Sequence, residues 1–491
     1  MKKSRVIPND KLLKRQWHLN NKGNHGGLRG EDIKAFSAWN IQHESPNIVV
    51  AVIDGGVQLK HPDLANNIWK NSNEIPDNGI DDDDNGYIDD INGWNFKRNT
   101  AKVTADDHGT HVAGIIGAEG NNNIGVTGVT WDVQLMSLDI FGGEKKFDDQ
   151  SLLDAIYYAV DNGADVINMS IGSTIPYASL DQYQKFSPKS YDAYLEAFKY
   201  AVRNGVTIVS AAGNYNSNDK SSLSLPAAFG SIVPGFITVA ALDNYGYLTD
   251  YSNYGSKVTI AAPGGSSLDD WCGIGACSED SQIISTITGK KLYGGMPGTS
   301  MAAPVVSGSV ALMIAANTDL EPLDIEQILL ISGNNSYDFD SYVMHGKQLD
   351  LKATLSTARK WDSSSINKNI VSLAGQSDGG SPKSDHFYFS EDPSDSERQN
   401  SFWPKIENFG YKKWFNELDY LIFSRDLLKD ANPERLYFEN VLNLEDLEAS
   451  KVSEADFVYH QQSGKFYLNA NGAKPGWSSR NLDHPFLELI G

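Results

Sequence analysis

The chain has 491 residues, 40% of them hydrophobic, and a formal net charge of −22 at pH 7. That length exceeds one ordinary core and predicts two or three domains. The negative charge disfavours nucleic acid and anionic membranes as partners and favours cations. The longest strongly apolar stretch, around residues 309–316, is shorter than the roughly 18 residues of a membrane-spanning helix, so we expect no membrane span.

The basic start at residues 1–5 is not followed by the apolar run of about 7 to 15 residues that a secretory signal contains. We therefore expect no N-terminal export signal. Cys272 and Cys277 form either one disulfide or two free thiols. Either state leaves the compartment undecided.

Short apolar runs rich in β-branched residues recur along the first part of the chain, at residues 48–53, 133–140, 166–169, 207–211, 237–242 and 258–261. Helix-compatible segments separate several of them. Segments 151–160 and 191–202 carry apolar residues at helical spacing, and an Asn-Gly stop signal follows each. This alternation predicts an α/β fold with a mostly parallel central sheet and helices on both faces.

The pattern changes after Ala358, where segments 363–365 and 375–385 are rich in Ser, Gly and Asp. Such a composition predicts a linker. We expect a main domain over residues 1–358, a linker over 359–385 and a small α+β module over 386–491. Within that module we predict a helix near 440–455 and a strand-turn-strand unit at 457–468.

Three short segments place reactive side chains at the edges of regular elements. Asp54 ends a buried-type strand and precedes two glycines. His108 opens a predicted helix of small residues at 107–114. Ser300 opens another helix, where free backbone N–H groups favour developing negative charge. We expect Pro304 near the end of that helix's first turn, where its missing N–H costs little.

These residue types suit acyl transfer. Because an isolated serine is a poor nucleophile, it needs a histidine to take its proton and an acceptor behind that histidine to fix its tautomer. His108 and Asp54 supply these roles for Ser300. Asn214 follows the predicted strand at 207–211, and its amide can stabilise an oxyanion beside the Ser300 N–H.

Together these segments resemble the subtilisin-like serine proteases over roughly residues 10–358, in that family's chain order of Asp, His and Ser. The resemblance implies a serine endopeptidase acting on protein or peptide substrates. We also expect a monomer and, from the negative charge, no nucleic-acid partner. One alternative is a calcium-stabilised scaffold on an inactive protease fold, against which the intact set of four residues argues. Another is a lipase or esterase, whose Gly-X-Ser-X-Gly pattern is not met around Ser300.

By the same resemblance, the backbone of residues 170–172 pairs with an extended substrate as an added strand, and together with residues 211–213 it walls the pocket for the residue before the scissile bond. The residues so assigned are Ser170, Ile171, Gly172, Ala211, Ala212, Gly213 and, near the pocket floor, Ser224. No charged residue appears at the floor, so we expect an apolar or unselective preference. Gly55 stands where the family often has Thr or Ser, and we expect no inhibitory pro-domain.

Residues 77–90 contain seven aspartates. Alternating oxygen ligands before Gly86 match the first half of a helical-hand calcium loop, although Asn92 stands at the position of its final glutamate. Asp89 or Asp90 must then complete the shell, and the alternative is a solvated acidic loop. The expected Ca²⁺ ligands are Asp81, Asp83, Asn85, Tyr87 and Asp90.

The resemblance also implies a second Ca²⁺ site, built by Asp10, Asp63 and the loop 120–126. The alternative for Asp63 is to cap the helical turn that begins at Leu64. The side chain of Asn122 and three backbone carbonyls complete the implied ligand set: Asp10, Asp63, Asn122, Gly120, Ile124 and Val126.

Residues 456–472 resemble the terminal segments of proteins exported by the repeats-in-toxin route, which carry an uncleaved C-terminal signal. An ordinary hairpin explains the pattern equally well. We expect an extracellular location reached without an N-terminal signal, with a cytoplasmic location as the alternative.

Overall fold

The computed structural model describes residues 6–361 apart from 24–26, 219–222, 256, 268–277 and 336–345, and it describes the backbone of eight short strands after residue 369. The chain divides into two compact units, Met1–Trp361 and Asp362–Gly491. Both cysteines and the Ser- and Gly-rich segments 363–365 and 375–385 lie outside the described residues.

The first unit alternates strands and helices. Its described strands are β1 Val49–Asp54, β2 Gly93–Asn95, β3 Gln134–Asp139, β4 Val166–Met169, β5 Ser173–Ile175, β6 Thr207–Ala211, β7 Leu223–Leu225, β8 Phe236–Leu242, β9 Ile260–Pro263, β10 Ile283–Thr286, β11 Tyr293–Met296, β12 Asn334–Asn335 and β13 Lys347–Gln348. Its described α-helices are α1 Ala35–Ala38, α2 Asp107–Gly117, α3 Asp149–Asp161, α4 Leu180–Phe186, α5 Pro188–Arg203, α6 Thr299–Ala316, α7 Pro322–Ser332 and α8 Leu351–Ala358.

Nine strands form the central sheet in the order β12-β13-β9-β8-β6-β4-β1-β3-β2. Neighbours are parallel except for the antiparallel pair β12 and β13. The mostly parallel sheet predicted from the sequence is confirmed. Because parallel strands present their carboxyl ends at one edge, Asp54 at the end of β1 lies on the edge where parallel sheets carry their sites.

Helices cover both faces of this sheet. Successive strand side chains point to opposite faces, and β1 shows the consequence: Val50 and Val52 pack in a core with α2 and α6, whereas Ala51 and Ile53 pack in a second core with α3 and α5. Hydrophobic burial on two faces therefore holds β1 in place. The expected two-sided arrangement of helices is confirmed.

Helix α6 crosses the first of these cores and is buried along most of its length. Among the described residues it is the one helix long and apolar enough to span a membrane, and 83% of it is buried inside the fold. Buried core helices of soluble proteins have the same length and apolar composition, so this helix is weak evidence for a membrane span. Pro304 is its sixth residue, beyond the first turn where we expected it, and its missing N–H leaves the carbonyl of Ser300 without the usual helical donor.

The second unit contains short strands. They are β14 Ile370–Ser372, β15 His386–Tyr388, β16 Lys405–Glu407, β17 Tyr420–Ser424, β18 Phe438–Val441, β19 Phe457–His460, β20 Lys465–Leu468 and β21 Leu487–Ile490. Antiparallel pairing of β19 and β20 confirms the predicted strand-turn-strand unit. The helix predicted at 440–455 is wrong at its start, since Asn440 and Val441 belong to β18, and the rest lies outside the described residues.

Candidate active site

Asp54 and His108 form a hydrogen-bonded pair at the carboxyl edge of the sheet. Nδ1 of His108 lies 2.9 Å from Oδ1 and 3.0 Å from Oδ2 of Asp54. Asp54 is 1% exposed, and its Oδ1 also accepts the N–H of Gly55 at 2.7 Å. A carboxylate so placed selects the tautomer with hydrogen on Nδ1, which leaves Nε2 of His108 free to accept a proton.

Asp106 caps the start of α2 and adds a second carboxylate near His108. Its carboxylate accepts the backbone N–H groups of His108 at 2.9 Å and Gly109 at 3.0 Å, as an N-cap residue does. A Cβ on Gly55 would lie 2.8 Å from Cγ of Asp106, so this side chain takes the room that a Thr or Ser would need. The tight fit explains the glycine at position 55.

The imidazole of His108 feels two opposing effects. Its burial lowers its pKa, whereas the charge and hydrogen bond of Asp54 and the charge of Asp106 raise it. The pKa of His108 lies above its ordinary value as a result.

Ser300, the second residue of α6, faces the segment that follows β4. Its Oγ donates to the carbonyl of Ser170 at 3.1 Å, and Oγ of Ser170 donates to the carbonyl of Ser300 at 2.8 Å. The second bond supplies the donor that Pro304 lacks. Asn168 donates to Oγ of Ser170 at 3.0 Å, so a buried polar chain holds the segment against the helix.

The side chain of Asn214 is held by Thr299, the residue before Ser300. Its Oδ1 accepts the backbone N–H of Thr299 at 2.9 Å and the Thr299 hydroxyl at 2.8 Å. A Cβ on Gly298 would lie 3.6 Å from both Nδ2 of Asn214 and the backbone N of Ser300. Both donors therefore border one space, which Gly298 keeps open with a φ of +147° that favours glycine.

The two predicted pocket walls meet at Ser224. A Cβ on Gly213 would lie 2.7 Å from Oγ of Ser224, and one on Gly172 would lie 3.6 Å from the same atom. The wall that contains Gly172 continues into β5, which pairs antiparallel with β7. Three other predicted pocket residues have buried side chains that pack in hydrophobic cores, so they offer backbone alone: Ile171, Ala211 and Ala212.

The acidic loop brings together a set of carboxylates that the sequence pattern only partly identified. Ligand oxygens of Glu74, Asp83 and Asp90 lie within 4.8 Å of one another. Glu74 precedes the aspartate-rich run, and its acidic side chain next to that run is the signal that could have found it. Asp81, by contrast, accepts the backbone N–H groups of Asn85 at 3.0 Å and Gly86 at 2.7 Å.

Asp90 is the most buried acid of this loop, with no exposed surface. Its carboxylate accepts the side-chain amides of Asn71 at 2.9 Å and Asn85 at 3.1 Å and the hydroxyl of Tyr158 at 2.5 Å. Burial and the charge of Asp90 raise the pKa of Tyr158. Tyr87 packs edge-on against the same tyrosine, with ring centroids 4.8 Å apart, while its backbone N–H donates to Oδ1 of Asn85 at 2.8 Å.

Asp10 and Asp63 converge on the loop 120–126, as the resemblance implied. Oδ1 of Asp63 accepts from Nδ2 of Asn122 at 2.7 Å, and its Oδ2 accepts from the N–H of Val126 at 2.9 Å. These long-range bonds, rather than the turn at Leu64, engage the Asp63 carboxylate.

An unpaired oxygen marks this second cluster. Oδ2 of Asp10 accepts the N–H of Asn121 at 2.9 Å, whereas its buried Oδ1 has no partner among the described residues. Burial, with a contribution from the charge of Asp63, raises the pKa of Asp10 to about 6. The carbonyl of Ile124 accepts the N–H of Lys11 at 3.4 Å, and the N–H of Gly120 donates to the carbonyl of Trp131 at 3.2 Å. A buried carboxylate oxygen without a donor fits a cation site.

Known proteins share both the sequence and the fold. The Subtilase family model matches residues 45–351. The thermophilic serine proteinase of Bacillus sp. (strain AK1) is 33% identical over 305 residues, which cover 61% of this chain and 61% of that protein. The major intracellular serine protease of Bacillus subtilis (strain 168) is 35% identical over 285 residues, covering 57% of this chain and 72% of that protein.

A solved protease structure from Pseudoalteromonas arctica PAMC 21717 has 29% sequence identity and a TM-score of 0.53, covering 72% of this chain and all of that chain. The chain thus spans about three fifths of the thermophilic proteinase and nearly three quarters of the intracellular one. The family match extends over more than half of the chain and includes the central sheet, the Asp54–His108 pair and the start of α6. By this match the chain belongs to the subtilase family of serine proteases.

Proposed function

We propose that this protein is a serine endopeptidase that hydrolyses protein or peptide substrates. Ser300 is the nucleophile, His108 the general base and Asp54 the residue that orients it. The observation that carries the proposal is the buried Asp54 carboxylate on Nδ1 of His108, because that contact leaves Nε2 to accept a proton.

The reaction begins when the Ser300 hydroxyl turns from the carbonyl of Ser170 towards Nε2 of His108. As Oγ attacks the scissile carbonyl carbon, His108 takes the hydroxyl proton and the carbonyl oxygen becomes an oxyanion. The N–H of Ser300 and Nδ2 of Asn214 donate to that oxyanion in the space beside Gly298. His108 then protonates the leaving amine, and water hydrolyses the acyl-enzyme by the same path.

Purified protein incubated with casein tests the proposal, with a serine-directed phosphonate as an active-site label. We expect hydrolysis and labelling in the wild type and neither in Ser300→Ala. The matched control is Ser356→Ala on α8, where the lost hydroxyl donates only within its own helix. An intact fold with no hydrolysis and no labelling in the wild type would favour the inactive scaffold instead.

Ca²⁺ is the cofactor that we propose for both acidic clusters. In the loop, Glu74, Asp83 and Asp90 supply hard oxygen ligands close together, with Asp81, Asn85 and Tyr87 on the same turn. In the second cluster, the unpaired Oδ1 of Asp10 is the atom that most needs a cation. Bound Ca²⁺ would offset carboxylate repulsion and so stabilise the fold.

We propose three segments for the chain: a peptidase domain at 1–358, a linker at 359–385 and a C-terminal module at 386–491. The catalytic and calcium residues all precede the linker, which supports this division. A chain ending after Trp361 should then melt cooperatively and cleave casein. Loss of either property would make the C-terminal residues part of the catalytic unit.

The curated relatives include both extracellular and intracellular proteases. For this chain we propose an extracellular location and a monomeric state. Two features support this location: residues 456–472 resemble C-terminal export segments, and the acidic composition favours Ca²⁺ binding. Immunoblots of medium and cell fractions test the location, and light scattering on the eluting peak of a sizing column tests the monomer.

A further inference from the structure

Asn168 places a fully buried amide inside the central sheet, on strand β4. Its Nδ2 donates to Oγ of Ser170 at 3.0 Å, and its Oδ1 accepts the hydroxyl of Ser307 at 2.8 Å. Burying an amide costs free energy unless its polar atoms are paired, and here both ends of the amide are. The side chain thus joins the segment after β4 to the middle of α6.

A linear network of hydrogen bonds runs from Ser307 through Asn168 to the nucleophile. After the two bonds of the amide, the hydroxyl of Ser170 donates to the carbonyl of Ser300 at 2.8 Å. Ser300 and Ser307 are about two helical turns apart, so they lie on one face of α6. The network therefore fastens that face to β4 and to the segment after it at two points.

The orientation of the Asn168 amide decides where the Ser170 hydroxyl points. A hydroxyl has one hydrogen to donate. Because Asn168 presents an N–H, the hydrogen of Ser170 is left for the carbonyl of Ser300, to which Pro304 donates nothing. The opposite amide orientation would present an oxygen, attract the same hydrogen and leave that carbonyl bare. The bond from Ser307 to Oδ1 favours the first orientation.

The backbone of Ser300 is held on both flanks by such bonds. Its carbonyl accepts from Ser170, and on the other side the N–H of Thr299 donates to Asn214 at 2.9 Å. A change in the direction of this carbonyl turns the residue that carries the attacking hydroxyl. Misplacing a reacting group by about 1 Å can lower a rate about 10²-fold.

We propose that Asn168 is a positioning residue for the peptidase reaction. By fixing the direction in which the Ser170 hydroxyl donates, it holds the backbone that carries the Ser300 nucleophile. The inference rests on the proposed peptidase function. It assigns a task to a residue that lies within a predicted strand and belongs to none of the catalytic segments.

Asn168→Asp and Asn168→Ala, made in the whole chain, separate this task from simple packing. An ionised aspartate has nearly the shape of asparagine but presents an oxygen that competes for the Ser170 hydrogen. Alanine leaves a gap and competes for nothing. At about pH 10, above the pKa of about 8–9 documented for buried carboxyl groups, we expect Asn168→Asp to lower kcat on a chromogenic peptide about 10²-fold. KM should change little, and Asn168→Ala should lose less kcat.

The pH dependence gives a readout that a packing defect does not move. A protonated carboxyl group donates to Ser170 as the amide does. The ratio of kcat in Asn168→Asp to kcat in the wild type should therefore rise towards one as the pH falls. The same ratio for Asn168→Ala should not depend on pH. Titration with the serine-directed phosphonate counts active sites, so that unfolded protein does not enter kcat.

Ser307→Ala tests the network without introducing a charge. It removes the bond that orients the amide, so kcat should fall by a smaller factor than in Asn168→Asp. In a Ser170→Ala background the network is already interrupted, and Ser307→Ala should then cost no further kcat. An equal loss in both backgrounds would contradict the role of the network.

Asn67→Asp is the matched control, because Asn67 is also a buried amide and donates to the carbonyls of Gly117 at 2.9 Å and Trp131 at 3.1 Å. It should keep the wild-type kcat per active site. Three results would overturn the inference: an equal loss in this control, a wild-type kcat in Asn168→Asp at every pH, or a loss in Asn168→Ala as large as in Asn168→Asp at about pH 10. Each leaves the proposed function standing, since the wild type cleaves in the same assay. No cleavage by the folded wild type would overturn both.

Discussion

Ser170 and Ser300 exchange two hydrogen bonds, each hydroxyl donating to the other residue's carbonyl at 2.8 and 3.1 Å. One of the two carbonyls belongs to the helix bearing the nucleophile, at the place where Pro304 cannot donate. The contact therefore replaces the missing helix hydrogen bond and ties the proposed substrate-binding segment to the proposed nucleophile.

We expect Ser170→Ala to lower the free energy of unfolding by about 1 kcal/mol, since it leaves the buried carbonyl of Ser300 without a donor. In a Pro304→Ala background the N–H of residue 304 can bond to that carbonyl, so the same substitution should cost less. Urea unfolding of the four proteins in this double-mutant cycle measures the coupling. Strictly additive effects would show that the two residues do not share the carbonyl.

Ser300→Ala and His108→Ala should each abolish nearly all hydrolysis of casein. Because both residues act in one proton transfer, the double variant should be no less active than either single variant. Thermal melting should show all three variants folded. Full activity in a folded single variant would end the assignment of that residue.

Asn214→Ala should lower kcat by about 10²–10³-fold, the usual cost of removing one oxyanion donor. Gly298→Ala should also lower kcat, because its Cβ would lie 3.6 Å from both proposed donors and fill their shared space. Steady-state kinetics on a chromogenic peptide separate kcat from KM. A normal kcat in Asn214→Ala would remove that amide from the oxyanion site.

The pH profile should report the raised pKa of His108. A general base must be unprotonated, so kcat/KM should rise with pH through a pKa above the ordinary value of about 6.5. Asp106→Asn keeps a capping acceptor at the start of α2 and removes a charge that raises this pKa. We therefore expect the acid limb of that variant at lower pH, and an unmoved limb would contradict the role of Asp106.

Removing Ca²⁺ from the two proposed sites should lower the melting temperature. A free Ca²⁺ concentration about 100 times the dissociation constant should raise the free energy of unfolding by roughly 2.7 kcal/mol per site. The reason is that such a site binds the ion in the folded chain far better than in the unfolded chain. Asp81→Asn with Asp83→Asn, or Glu74→Gln alone, should reduce the calcium-dependent shift, and Asp10→Asn should reduce the remainder. Identical wild-type melting curves in excess Ca²⁺ and excess chelator, after verified metal removal, would refute both sites.

Local patterns carried the fold prediction a long way. Alternating apolar runs and helical periodicity predicted a mostly parallel two-sided sheet, since each pattern reflects burial of one strand or one helix face. The prediction failed at Asn440 and Val441, which lie in a strand, because strand pairing within the second unit overrides local helix propensity. It also placed Pro304 near the end of the first turn of α6, whereas Pro304 lies beyond that turn. A proline is tolerated there because the buried hydroxyl of Ser170, from a distant loop, replaces the missing helical donor.

The sequence by itself determined the class of fold, the chain order of Asp54, His108 and Ser300, and the position of the acidic loop, because these depend on short contiguous patterns. The tertiary structure alone placed Asp106 against Gly55, added Glu74 to the acidic cluster and set Ser224 between two glycines. Each of these facts is a distance between chain segments that no local pattern encodes. Burial then set the chemistry of individual groups: it raises the pKa of Asp10, and it leaves the Ser224 hydroxyl without a hydrogen-bond partner among the described residues.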